Sequence, residues 1–214
     1  MTIPAPLPFR IDRLGTAIDR DPAEWRAAFG RVPAFAFEDA LSSALLEQLM
    51  RGAAGTSYID DDVRNIGTRQ IESPQRVSGT ISLMLGRRPL FDWLEAATGC
   101  GPIKALAGRI AQTRANDQDE LVWHDDSDSP HRLLGVVVNL SDQAYAGGEF
   151  ELRRKGEAEP LFAYRHIRPG SITIFAVRSD LEHRVLPVTS GGPRRVYAGW
   201  MMREPEAGVR SVFG

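Results

Sequence analysis

Arg132-Leu133-Leu134-Gly135-Val136-Val137-Val138-Asn139-Leu140, then Gly147-Gly148-Glu149-Phe150-Glu151-Leu152, then Pro169-Gly170-Ser171-Ile172-Thr173-Ile174-Phe175, reads as successive short strands separated by turn residues. The two-residue period begins near residue 107. Eight such runs follow, centred on Ile110, Val122, Val137, Glu151, Ala163, Ile174, Val185 and Ala198. Short strands at this spacing predict a sandwich or jelly roll in which strands distant in sequence become neighbours.

Upstream of the strands the period is helical. Leu41, Leu45, Leu46 and Leu49 recur at spacings of three and four within residues 38–50, a stripe for core packing. Shorter helices are expected at 21–29, closed by Gly30, and at 91–97, closed by Gly99 and Gly101. The polar segment from Gly55 to Gly79, with its run Asp60-Asp61-Asp62, has no sustained period and is expected to be a solvated loop. Three helices bury little alone, so one α+β unit, mainly β, is the simplest organisation. Residues 1–214 then form a single domain, with an N-terminal extension (1–31), mostly helical support (32–104) and a β core (105–203).

The composition excludes several functions. No apolar run of eighteen residues is present, so no membrane helix is expected. The formal charge of -2, with both signs mixed along the chain, offers no basic face for nucleic acid. The start, Met1-Thr2-Ile3-Pro4, lacks a basic stretch leading into an apolar segment, and the expectation is cytoplasmic. The lone Cys100 has no second thiol to pair with.

Chemistry enters with three short strings: Trp123-His124-Asp125-Asp126, Glu182-His183-Arg184-Val185 and Arg194-Arg195. In a strand, positions i and i+2 share a face, so His124 and Asp126 would face one ion while Asp125 points away. With His183 they make two histidines and a carboxylate, which leave octahedral positions open on a non-haem Fe(II). On the last run Arg194, Val196, Ala198 and Trp200 share one face and Arg195 takes the other. An inward arginine there suits an anionic co-substrate, because its fork grips a carboxylate through two parallel bonds. His131 and His166 border turns and read as surface residues.

The order of these motifs from about Val32 to Met202 resembles the Fe(II)- and 2-oxoglutarate-dependent dioxygenases, in their prolyl-hydroxylase-like branch. The resemblance implies a double-stranded β-helix (jelly roll, cupin-like) with supporting N-terminal helices. It implies His124, Asp126 and His183 as iron ligands and as the catalytic centre. Arg194, six residues before Trp200, would hold the distal carboxylate of 2-oxoglutarate. The turn Gly191-Gly192-Pro193 lengthens the spacing from His183, so Arg195 remains a substitute, and Asn139 is a further candidate co-substrate contact. The tyrosine that relatives place before the first ligand is missing from Arg114-Ala115.

The implied cofactors are Fe(II), 2-oxoglutarate and O2, and the implied reaction is hydroxylation of an unactivated C–H bond. Desaturation or demethylation would use the same site. A carboxylate at Asp126 argues against halogenation, where relatives carry a small residue. The substrate would be an amino-acid, peptidyl or small-molecule one, with no nucleic acid or membrane partner implied. Two other readings remain: a non-catalytic β-helix binding or sensing module, and a cupin-type metal enzyme that does not use 2-oxoglutarate.

Overall fold

The computed structural model describes residues 7–63, 66–115 and 121–205. Met1–Pro6 of the N-terminal reading, and positions 64–65 of the expected loop, lie outside the described residues. The order is β1 (Phe9–Ile11), β2 (Thr16–Ile18), α1 (Ala23–Arg31), β3 (Ala34–Phe37), α2 (Ser43–Gly55), β4 (Tyr58–Val63), β5 (Gly67–Glu72), α3 (Arg76–Leu85) and α4 (Arg88–Thr98). There follow β6 (Ala105–Thr113), β7 (Leu121–His124), β8 (Arg132–Asn139), β9 (Tyr145–Gly147), β10 (Phe150–Arg154), β11 (Phe162–Tyr164), β12 (Ile172–Ala176), β13 (Leu181–Val185), β14 (Val188–Gly191) and β15 (Arg194–Met202).

Two antiparallel sheets face each other in a double-stranded β-helix. The larger runs β3-β12-β8-β15-β6-β5-β4 and the smaller β11-β10-β13-β7. Strand β8 is buried along nearly its whole length, which is why its sequence is a continuous apolar run and not an alternation. Between the sheets Phe150 meets Phe175 with ring centroids 4.7 Å apart. Phe175 reaches that position across Gly135, where a Cβ would lie 2.2 Å from its ring. The glycine inside the decisive strand therefore makes room for an aromatic wall of the inter-sheet space.

Helix α3 covers the outer face of the large sheet. The Tyr197 hydroxyl, fully buried, lies 2.8 Å from Ser82 Oγ. Ser78 Oγ accepts the Ile110 N–H at 2.8 Å, beyond the short Gln70–Ala111 span over which β5 pairs with β6. The buried Glu72 carboxylate accepts the Val77 and Ser78 N–H groups of the first turn of α3, donors that no intrahelical carbonyl could satisfy. Residues 7–37 join the same core through an aromatic cluster in which Phe9 packs on Trp93 at 5.3 Å and Trp25 on Phe35 at 5.3 Å.

The Gly55–Gly79 expectation requires correction. This segment is the hairpin β4–β5 followed by the first turn of α3, and β5 extends the large sheet by pairing Gln70 with Gln112 and Ile71 with Ala111. Its alternation is carried by polar cross-strand pairs, Asp61 with Arg69 at 2.9 Å and Asp60 with Gln70 at 3.0 Å, so a hydrophobic period is absent. Helix α3 escaped detection because two of its four buried residues are serines, Ser78 and Ser82. Helix α2 starts at Ser43, after a positive-φ Asp39, and not at residue 38. None of the described helices is long and apolar enough to cross a membrane.

Candidate active site

His124 ends β7 and stands directly across from His183 of β13, with ring centroids 4.1 Å apart. Asp126 follows in a turn, with Oδ2 3.5 Å from His183 Nε2 and Oδ1 3.8 Å from His124 Nε2. One ligand atom from each of the three lies within 4.8 Å of the others. His124 and Asp126 come together by a different route than the alternation expected of a strand. β7 stops at His124, and Asp126 turns inward through a left-handed backbone at φ 56°. Such a conformation is uncommon outside glycine and is best tolerated by Asn and Asp.

Each side chain is held. His124 Nδ1 lies 2.7 Å from the Val122 carbonyl, so that nitrogen carries the proton and Nε2 keeps its lone pair toward the centre. His183 is packed between Phe150 and Phe175, and burial, with His124 beside it, pushes its pKa well below the ordinary value and keeps it neutral. Trp200 Nε1 donates to Asp126 Oδ2 at 2.9 Å. Asp125 turns the other way and accepts from Lys155 Nζ at 2.6 Å, a bond that lowers its pKa to about 2. A donor set of two imidazoles and one carboxylate fits a first-row divalent metal such as Fe(II).

Trp200 has so far served only to locate Arg194, but here it orients a carboxylate of the donor set. Outer partners of this kind are worth about 10–100-fold in metal affinity. Trp200→Phe is accordingly expected to weaken Fe(II) binding by about that factor, measured by competition with a chromophoric chelator. An unchanged affinity would show that the indole does not position Asp126.

The large sheet supplies the opposite wall. Arg194, Val196, Ala198 and Trp200 of β15 all line the same ≈ 250 Å³ cavity as the three donors. Arg194 is 4 % exposed, and its Nε has no hydrogen-bond partner. Burial lowers its pKa, with Tyr145 acting in the opposite sense. Its path is cleared by Gly148, at φ +69°, where a Cβ would meet Arg194 Cδ at 2.7 Å. Thr113 stands directly across from Arg194 on β6.

The other two co-substrate candidates lie elsewhere. Arg195 points to the opposite face and is engaged by Asp142 Oδ1 at 2.6 Å and Gln112 Oε1 at 2.8 Å. Asn139 is 1 % exposed, donates to the His166 and Arg168 carbonyls and accepts from Ser141 N. Its amide is spent on the backbone, and it does not line the cavity.

His166 is not a surface turn residue. It is fully buried, its ring nitrogens 2.8 Å from Ser171 Oγ and 3.1 Å from Thr173 Oγ1, with its carbonyl accepting the Tyr145 hydroxyl. Burial first, and then the charge of Arg194, lower its pKa from 6.5 to about 3. The unfolded chain therefore binds a proton at His166 near pH 6.5 while the folded one refuses it until about 3. Stability is full above that range and falls as pH drops through it, by up to about 1.4 kcal/mol per pH unit. Urea unfolding between pH 6.5 and 5 is expected to show this slope, and His166→Gln to flatten it. An unchanged slope in the variant would contradict a neutral buried His166. His131, 39 % exposed in its side chain, faces Glu204.

Residues 109–202 match the family described as the 2OG-Fe(II) oxygenase superfamily. No curated protein matches the chain. Among solved structures it is similar to an oxidoreductase of the 2OG-Fe(II) oxygenase family from Burkholderia pseudomallei, at TM-score 0.67 and 16 % identity over 94 % of this chain and 99 % of that one. A prolyl-4-hydroxylase from Pseudomonas putida aligns at TM-score 0.63 and 16 % identity, over 86 % and 100 % of the two chains. A Trichoplax adhaerens prolyl hydroxylase, solved with a hypoxia inducible factor oxygen degradation domain peptide fragment, gives TM-score 0.63 and 15 % identity over 89 % and 92 %. At these identities the likeness is one of fold. The matched segment contains all three donors and Arg194.

Proposed function

From the premise that residues 109–202 are those of a 2OG-Fe(II) oxygenase, an enzyme class using Fe(II), 2-oxoglutarate and O2, we propose that this chain hydroxylates an unactivated C–H bond. The substrate would be an amino-acid, peptidyl or other small molecule. His124, Asp126 and His183 hold the metal, and Arg194 holds the far carboxylate of 2-oxoglutarate. The observation that carries the reading is the buried Arg194, its Nε unpartnered inside the cavity of the donor triad. A buried guanidinium with an unpaired N–H is costly, and an anion bound opposite offsets that cost.

When bound, Fe(II) with 2-oxoglutarate and O2 supplies an oxidation that places one oxygen atom in the substrate and the other in succinate, with release of carbon dioxide. The chain does the positioning. Val122 fixes the His124 tautomer, Trp200 orients Asp126, and Phe175 braces the His183 ring. Val136, Phe150, Val185 and Val196 form apolar walls that exclude bulk water from the reacting bond.

The test is anaerobic titration of the Fe(II)-loaded protein with 2-oxoglutarate, read by the weak visible charge-transfer band of the chelate. The band is expected with one equivalent of iron. Bound iron without a band would favour a cupin-type metal enzyme or a sensing module.

A further inference from the structure

Among the described residues four arginines line the cavity: Arg69, Arg109, Arg132 and Arg194. Arg69 is paired with Asp61 at 2.9 Å, and Arg132 with Asp128 at 2.9 Å while its guanidinium covers the Trp200 ring at 3.9 Å. On the oxygenase reading, Arg194, Asp126, Fe(II) and the 2-oxoglutarate dianion cancel one another's charge. Arg109 is left over. Among the described residues it has neither a hydrogen bond nor an ion pair, although it is half-buried on the cavity face of β6.

Its position separates it from the co-substrate. Arg109 stands opposite Ala198, whereas Thr113 stands opposite Arg194, in the same β6–β15 ladder. Four strand residues span roughly 13 Å, so the two side chains start well apart along the ladder, Arg194 at one end of it and Arg109 four residues along. Trp200, which holds Asp126, lies at the Arg109 end of that ladder. An unpaired guanidinium beside apolar walls is complementary to a carboxylate, which it can hold through two parallel bonds.

We infer that the substrate carries a carboxylate and that Arg109 binds it, fixing the substrate away from Arg194. This rests on the oxygenase reading above. It narrows the substrate class to small acids, a free amino acid or a chain with its terminal carboxylate among them, and disfavours an internal residue of a long peptide. The anchor also gives orientation, because a molecule held at one end presents a fixed C–H bond to the metal side.

The test uses the Fe(II)- and 2-oxoglutarate-loaded protein and a panel of free and N-acetylated amino acids and short aliphatic acids, each beside its primary amide. Perturbation of the charge-transfer band without oxygen reads binding, and succinate release with oxygen reads turnover. At least one acid is expected to bind 10-fold or more tightly than its amide. R109Q should erase that preference, and R109K should retain part of it. In R109Q the 2-oxoglutarate titration midpoint is expected within twofold of the wild type, which separates substrate binding from co-substrate binding. Equal response to acids and amides, no response to any acid, or a preference that survives R109Q overturns the inference. Failure of the band to form on adding 2-oxoglutarate alone overturns the oxygenase reading and this inference with it.

Discussion

Arg194→Ala is expected to keep its iron and to lose its grip on 2-oxoglutarate. The side chain is buried, faces the donor triad and has no internal acceptor for Nε. Removing one partner of a buried charge pair costs about 2–5 kcal/mol, which corresponds to roughly a 30- to 5,000-fold rise in the dissociation constant. The anaerobic band titration measures it directly. Arg195→Ala is the comparison, since that guanidinium is already engaged by Asp142 and Gln112 on the other face. A larger defect in Arg195→Ala than in Arg194→Ala would place the co-substrate on the wrong side of β15.

The same residue carries an opposite expectation for stability. Without 2-oxoglutarate, Arg194 is a desolvated guanidinium whose Nε finds no acceptor among the described residues, and replacing such a group by an apolar one of similar length is often neutral or stabilising. Arg194→Met is therefore expected to match or exceed the wild type in thermal midpoint without ligand, and to fall behind it once saturating 2-oxoglutarate is added. A variant destabilised under both conditions would mean that Arg194 serves mainly to hold the strand.

Asp126→Ala is expected to abolish stoichiometric Fe(II) binding and, with it, turnover. Loss of an outer partner alone costs about 10–100-fold in metal affinity, so loss of a donor is expected to exceed that. Metal content after dialysis and iron-dependent succinate release are the readouts. The control is its neighbour: Asp125→Ala removes the contacts to Lys155 and Ser127, and an exposed pair of that kind adds little to stability. Iron held by Asp126→Ala but not by Asp125→Ala would reverse the assignment of the donor.

Much of the β core was legible because burial on both sides leaves a simple mark. All eight strand runs between Ile110 and Ala198 lie in strands, and β8 and β12 are mostly apolar because they are buried almost from end to end. The hairpin β4–β5 carried no such mark, since its pairing is written in Asp60, Asp61, Arg69 and Gln70. His166 failed for a related reason. A histidine before Arg168-Pro169-Gly170 looks like a turn residue, and only the return of β12 sets Ser171 and Thr173 against its ring.

By itself the sequence determined the order of the parts: two histidines, a carboxylate, and an arginine on the cavity face of the last strand. Alternation assigns Arg194 and Trp200 to one face because a strand has a strict period of two. Tertiary structure decided which of those groups are satisfied. Asn139 and Arg195 are spent on neighbours brought from distant strands, whereas among the described residues Arg194 Nε has no acceptor and Arg109 has no ion-pair partner, and both line the cavity. Hydrogen-bond partners in a β-helix come from across the sheets, so the charge left over for a ligand is visible only after the chain has closed on itself.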